Sequence, residues 1–190
     1  MHQSAKMSIT LPVYFLHYQQ NFMQLIEVNK ARYNRHVKIV FAACAMGLAI
    51  GSLSLSQLLI ALFPDESGRH FHWNLLGVVV TALTIGWVIN KIRQHEFMRE
   101  VTYVWELKQA LNKIHRKMRA LEAAANEGNI NALVAMQYSY AGSRLLWQLD
   151  DNTLTLDELA IKQAELDRLA EKFGVTLNAN DYDESMLKMF

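Results

Sequence analysis

His70 and His72 form an H-x-H pair, and Asp65 and Glu66 stand a few residues before them. Imidazole and carboxylate are ligand types that a divalent cation accepts. A metal site needs three or four such ligands, held rigidly and oriented by further hydrogen bonds. The stretch that carries them, "FPDESGRHFHWN" (Phe63–Asn74), is a short turn with Pro64 and Gly68 and little to hold a coordination sphere. His70 and His72 are thus the only metal candidates, and the expectation is that neither a metal nor another cofactor binds.

The remaining reactive side chains are more scattered. His95 and His115 lie too far apart along one predicted helix to share a site. Cys44 stands alone inside an apolar run, which excludes a disulfide framework and leaves a small packing residue. There is no Gly-rich phosphate loop and no dinucleotide fingerprint. The acids in "DDNTLTLDE" and "NDYDE" have the spacing of helix caps rather than of a catalytic pair or a calcium loop. No catalytic residue is assigned, and the expectation is a protein that is not an enzyme.

The elements that carry these residues set the class. The chain has 190 residues and a formal charge of +1, and its mean hydropathy is +0.02. Those averages conceal two very apolar runs. Val37 to Phe63 reads "VKIVFAACAMGLAIGSLSLSQLLIALF", with Lys38 as its one charge. Phe71 to Ile89 reads "FHWNLLGVVVTALTIGWVI", with none. A run of about 18 or more apolar residues crosses a bilayer as a helix, and a soluble helix is seldom apolar on every face. A cleavable signal sequence does not fit, because the first run starts late and exceeds the usual apolar segment of such signals. Residues 1–36 are read as a cytosolic arm, 37–90 as a transmembrane hairpin, and 91–190 as a cytosolic helical domain. The spans are 37–63 and 71–90, joined by the turn 64–70.

Charge orients the hairpin. Lys30, Arg32 and Arg35 precede the first span and Lys38 stands at its edge; Lys91, Arg93 and Arg99 follow the second. The turn sets Arg69 against Asp65 and Glu66. Basic residues near span ends are retained in the cytosol, so both termini are expected inside and the turn outside. Trp73, Trp87 and Tyr33 suit the interfacial aromatic belts. The expected location is the bacterial inner membrane, as a multi-pass protein.

Ala43, Gly47 and Gly51 recur every fourth residue, and Gly77 and Thr81 repeat the spacing. Small residues so placed let helix backbones approach closely, within the hairpin or between two copies. Ser52, Ser54, Ser56 and Gln57 add polarity to the first span. They can line a pore, although serine also bonds back to its own helix. No acid or base lies within the spans to serve as an ion relay, which argues against a carrier acting alone.

In the arm, Phe15, Tyr18, Phe22 and Leu25 make one apolar helical stripe starting near Pro12. It fits either the inner leaflet or the cytosolic helices. Met1, Met7 and Met23 are alternative starts. After Asn90 no breaker appears, and Phe97, Val104, Leu107, Leu111, Ile114, Met118, Leu121 and Ala125 form a heptad seam. The second span is therefore expected to run on as a stalk, ended by Gly128. Asn129 caps a returning antiparallel helix to about Leu149. Thr155 with Glu158 reads as a capping box for a helix ending at Gly174, and Asp181 with Glu184 repeats that signature.

Residues 91–119 hold eight basic and three acidic residues, net +5; residues 120–190 hold five and twelve, net −7. The basic stretch suits anionic lipid near the bilayer and acidic helices farther along. "KIHRKMR" interleaves with the heptad seam and has no aromatic platform beside it, so no nucleic acid is expected.

The runs "EVNKARYNRHV", "LSQLLIALF", "HWNLLGVV", "VTYVWELKQALNKIHRKM", "GNINAL" and "LDDNTLTLDEL" come in this order along nearly all the chain from about Met23. In that order and spacing they resemble the bacterial membrane-protein family named domain of unknown function 3087. The resemblance implies a small inner-membrane protein with two spans, and brings no activity and no catalytic residues.

The expected fold is thus all-α: a two-span transmembrane hairpin continuing into a cytosolic antiparallel helical hairpin, with one or two further helices. The expected role is a scaffold or accessory subunit that presents the cytosolic helices to a partner. The alternatives are an oligomeric channel or membrane-perturbing effector, and a metal sensor reading the outer turn. The expected partners are the lipid bilayer and either a second copy or another membrane protein.

Overall fold

A computed structural model describes residues 24–64, 68, 70–152 and 155–190. Of the apolar stripe in the arm, Phe15, Tyr18 and Phe22 lie outside the described residues, as do Pro12, Met1, Met7 and Met23. So do the turn charges Asp65, Glu66 and Arg69. Leu25 falls in irregular chain at 24–29.

The described residues are helical, with no strand among them. α1 is Lys30–Leu62, α2 Phe71–Ile92, α3 Arg99–Asn126, α4 Ile130–Leu149 and α5 Leu156–Phe173. Short 3-10 helices occupy Glu96–Met98, Ala179–Asp181 and Glu184–Met189. Two compact units divide the chain, and α3 contributes to both. One comprises Ile26–Gln109 with Gln148–Asp151; the other includes Ala110–Trp147 and Asn152–Phe190.

In the first unit α1 starts where Asn29 accepts a hydrogen bond from the Arg32 amide at 3.0 Å. That cap satisfies one of the donors every helix leaves free at its start. α1 and α2 pack together in descending register: Gly47 faces Ile85, Gly51 faces Thr81, and Gly77 faces Ser56 and Ser52. At the far end Phe63 stacks on Trp73 with centroids 5.4 Å apart.

The expectation that α2 runs unbroken into the stalk is corrected here. α2 ends at Ile92, and a bend and the Glu96–Met98 turn precede α3. The break is made by side chains rather than by Gly or Pro. His95 adopts extended backbone and its Nδ1 accepts from the Phe97 amide at 3.2 Å. Thr102 donates its hydroxyl to the Arg93 carbonyl at 3.1 Å, and Arg93 pairs with Glu106. A freed carbonyl and a redirected chain are thus both held by partners on α3.

In the second unit α4 is the buried helix. Ala132, Leu133, Ala135, Tyr138 and Ser139 are fully covered. The α3–α4 turn is a C-terminal cap motif: Asn129 N–H donates to Ala124 O and Gly128 N–H to Ala125 O, each at 3.0 Å. Gly128 has φ +87°, and a Cβ there would meet the Phe173 ring at 2.8 Å. Asn129 then caps α4, accepting from Ala132 N–H at 3.1 Å.

Two capping expectations change. Thr155 stands at the start of α5, but its backbone is helical and its hydroxyl caps nothing. Glu158 pairs with Lys162 one turn on, at 2.9 Å, instead of folding back. In the tail the cap is Asp183, which accepts from Ser185 N–H at 2.7 Å, rather than Asp181.

Candidate functional site

His70 and His72 sit at the start of α2. His70 precedes the first turn without making a side-chain cap, and its Nδ1 is buried without a hydrogen bond. His72 packs against Trp73, ring centroids 4.7 Å apart. No group of three or more His, Cys, Asp or Glu side chains able to hold a metal occurs among the described residues. Asp65 and Glu66, the acids a few residues before them, lie outside those residues. Among the described residues, then, His72 has an aromatic neighbour and the two histidines join no metal-binding group.

The small residues assigned to helix packing differ in what they do. Gly51 is held against Thr81: a Cβ would stand 2.7 Å from the threonine methyl. Gly77 is tighter still, at 2.2 Å from Ser56 Oγ and 2.9 Å from the Ser52 carbonyl. Gly47 makes only ordinary contact with Ile85, and Ala43 is exposed. Spacing alone does not show Ser56 to be Gly77's partner. Ser56 is buried and donates to the Asn74 carbonyl at 3.5 Å. Ser52 donates to Ala49 O of its own helix, whereas Ser54 and Gln57 are exposed.

Along α3, Val104, Leu107, Leu111, Ile114, Leu121 and Ala125 are buried, with Leu107 and Ile114 at 0% exposure. Met118 is half-buried. Phe97 lies before α3, in the 3-10 turn, where its ring packs tilted against His36 with centroids 4.2 Å apart. His36 and Phe97 come together only because the chain bends between α2 and α3.

The second unit carries a surface groove of about 580 Å³ between α3, α4 and α5. Met136 and Tyr140 form its floor, and Glu122, Lys162, Glu165 and Arg168 line it. A smaller cavity of about 260 Å³ shares Glu122, Tyr140 and Lys162 and adds His115, Ser143 and Trp147. Burial pushes the Tyr140 phenol above its ordinary pKa, and the nearby Glu122 and Glu165 carboxylates push it further. Such a groove can seat a side chain or a helix edge that presents both charge signs.

The charge asymmetry of the sequence is used locally. Lys113 pairs with Glu184 at 2.7 Å, and Lys117 donates to the Leu187 carbonyl at 2.6 Å, so the basic stretch of α3 holds the tail. Tyr182 of that tail stacks on Tyr138 of α4 at 4.4 Å. Sequence reasoning missed this closure. Its signal was the pair of Asx-capped turns followed by the apolar Met186, Leu187, Met189 and Phe190.

A family model described as a protein of unknown function (DUF3087) matches residues 23–187. No curated protein matches the chain, and no solved structure does.

Proposed function

The chain belongs to the DUF3087 family of proteins of unknown function, and from that premise we propose a small, non-enzymatic inner-membrane protein. Its paired apolar helices cross the bilayer as a hairpin, and its cytosolic helices serve as a scaffold or accessory module for a partner. The observation that carries this reading is the uncovered apolar surface of α1 and α2. Both are long and apolar enough to cross a membrane, and only 6% of the most apolar window of each is buried. Phe41 and Phe71 are 75% and 76% exposed, and Leu53, Leu83 and Trp87 are also exposed. A soluble core helix would be covered by its own chain. Apolar surface on this scale is costly in water, at roughly 25 cal/mol per Å², and a hydrocarbon environment removes that cost.

Length supports the same reading. At 1.5 Å per residue the 22 residues of α2 measure about 33 Å, close to a hydrocarbon core of about 30 Å. The 33 residues of α1 measure about 50 Å, so its basic start projects beyond the core. Lys30, Arg32 and Arg35 at that start, with Lys91 and Arg93 at the end of α2, favour cytosolic termini.

The partner-facing part of the proposal rests on the α3–α5 groove, whose apolar floor and mixed charges suit a protein segment. Arg168 is exposed there and forms no ion pair among the described residues. The test is affinity purification of the intact protein from detergent-extracted membranes. A partner held by the wild type and lost with Arg168→Glu is expected. Recovery of the protein from the soluble fraction would overturn the membrane reading, and absence of any stable partner across growth conditions would overturn the scaffold. A second reading, an oligomeric channel, has Ser54 and Gln57 in its favour, exposed about one turn apart on α1. A monomer in mild detergent that gives no bilayer conductance would remove it.

A further inference from the structure

We infer that the cavity between the start of α1 and the α2–α3 bend binds the phosphate of an anionic phospholipid headgroup. The cavity measures about 630 Å³ and is lined by Arg32, Arg35 and His36 of α1 and by His95, Glu96 and Phe97 of the bend. The inference rests on the membrane reading above and assigns a ligand to a site that reading leaves open.

The first argument is charge. Arg32 is fixed by two acids, with Nε 3.0 Å from Glu100 and an Nη 3.7 Å from Glu96. Arg35 lines the same cavity, is exposed, and makes no ion pair among the described residues. It is therefore the free guanidinium, beside a second one already held in place. A guanidinium fork matches the oxygens of a phosphate and can bind two at once.

A second argument is an unsatisfied buried group. His36 is only 8% exposed. Its Nδ1 has no hydrogen-bond partner, and the Glu100 carboxylate at 3.6 Å is too far for one. Tilted packing against Phe97, which also lines the cavity, fixes the ring. Glu100 Oε2, which faces it, is likewise buried without a partner, so two unsatisfied polar groups stand beside this cavity, and such groups call for an explanation.

Depth identifies the source of the phosphate. The register that sets Gly47 against Ile85 and Gly51 against Thr81 continues to place the end of α2 near Val40. Arg32, Arg35 and His36 thus lie one to two turns beyond the paired apolar helices. At about 1.5 Å per residue that puts His36 and Arg35 roughly 6–8 Å outside the hydrocarbon edge, at the outer part of a headgroup layer about 5–8 Å deep, with Arg32 about 12 Å out. Lys38, also exposed, adds general attraction for an anionic leaflet without lining the cavity. Soluble phosphate esters share the recognition chemistry but not this location.

The experiment uses the full chain in mild detergent, with native mass spectrometry of added phosphatidylglycerol or phosphatidylcholine. The wild type is expected to retain phosphatidylglycerol selectively. Arg35→Gln should weaken that retention about tenfold, the scale of one charge-assisted hydrogen bond, while Lys38→Gln changes it less than about twofold. Arg35→Lys, which keeps the charge and loses the fork, should fall between them and guards against misfolding as the cause. Equal retention of both lipids, or equal loss in Arg35→Gln and Lys38→Gln, would overturn the site and leave only diffuse attraction. Displacement by millimolar glycerol phosphate would overturn the headgroup assignment in favour of a soluble ester. Extraction of the protein from membranes is followed in parallel. A wild type that is soluble without detergent sinks the membrane reading, whereas an integral protein with unselective lipid binding sinks only this inference.

Discussion

Tyr182 shows how much a single buried group can reveal about the tail. Its hydroxyl is buried, finds no hydrogen-bond partner among the described residues, and its ring stacks on Tyr138. Burial raises its pKa, and Glu184 and Asp183 add to the rise. The fold therefore favours the neutral phenol. That contribution is complete below the ordinary tyrosine value of about 10 and is lost as pH rises past it. Thermal unfolding of the detergent-solubilised protein is expected to show a Tm that drops above about pH 10. Tyr182→Phe should leave the neutral-pH Tm unchanged or slightly higher, since a buried hydroxyl without a partner opposes folding, and should flatten the alkaline fall. Tyr33, Tyr103 and Tyr140, whose pKa values burial also raises, retain the rest of that slope. An unchanged slope in Tyr182→Phe would show that the tail is not packed as described. At the same scale, replacing His70 and His72 by Ala is expected to leave bound metal, measured by elemental analysis, at wild-type level.

The pairing of α1 with α2 depends on particular glycines rather than on small residues in general. Gly77→Ala forces a methyl against the Ser52 carbonyl and Ser56 Oγ and is expected to cost about 1–3 kcal/mol, as overpacking does. Gly86 has nothing within reach of a Cβ, so Gly86→Ala should gain up to about 1 kcal/mol from helix propensity. Opposite signs in Tm are the expected result, and equal shifts would contradict the register. In the second unit Gly128 and Gly174 both have positive φ, but only Gly128 also meets a ring. Gly128→Ala should therefore lower Tm more than Gly174→Ala, the latter losing about 1 kcal/mol from backbone strain alone.

What was legible at this scale follows from the kind of signal each element carries. α1 and α2 read directly because missing charge over a long run is a one-dimensional property. The buried positions of α3 read from their period, and Gly128 read from its place between two periodic runs. The break after Ile92 did not read. It has no Gly or Pro, and it is held by Thr102, Glu106 and Glu100 acting on Arg93 and Arg32, residues distant in sequence. The cavity at Arg35 and His36 was illegible for the same reason, since it exists only because the chain bends there. The Thr155 cap misled because its partner Glu158 had an equally good bond to Lys162.

At the scale of the whole molecule, the proposal divides the labour along the chain. The most apolar surface lies on α1 and α2, and the groove that can seat a protein segment lies on α3 to α5. Arg32, Arg35 and His36 stand at the start of α1, and His95 in the bend that separates α2 from α3. On the proposed reading its chemistry lies in what it meets, lipid at α1 and α2 and a protein segment at the groove of α3 to α5. The central claim is the transmembrane hairpin with both ends in the cytosol. It is tested most directly by fusing a reporter enzyme that matures only outside the cytosol, once at Gly68 and once after Phe190. The account predicts activity at Gly68 and none after Phe190. A silent reporter at Gly68, or an active one after Phe190, would contradict it.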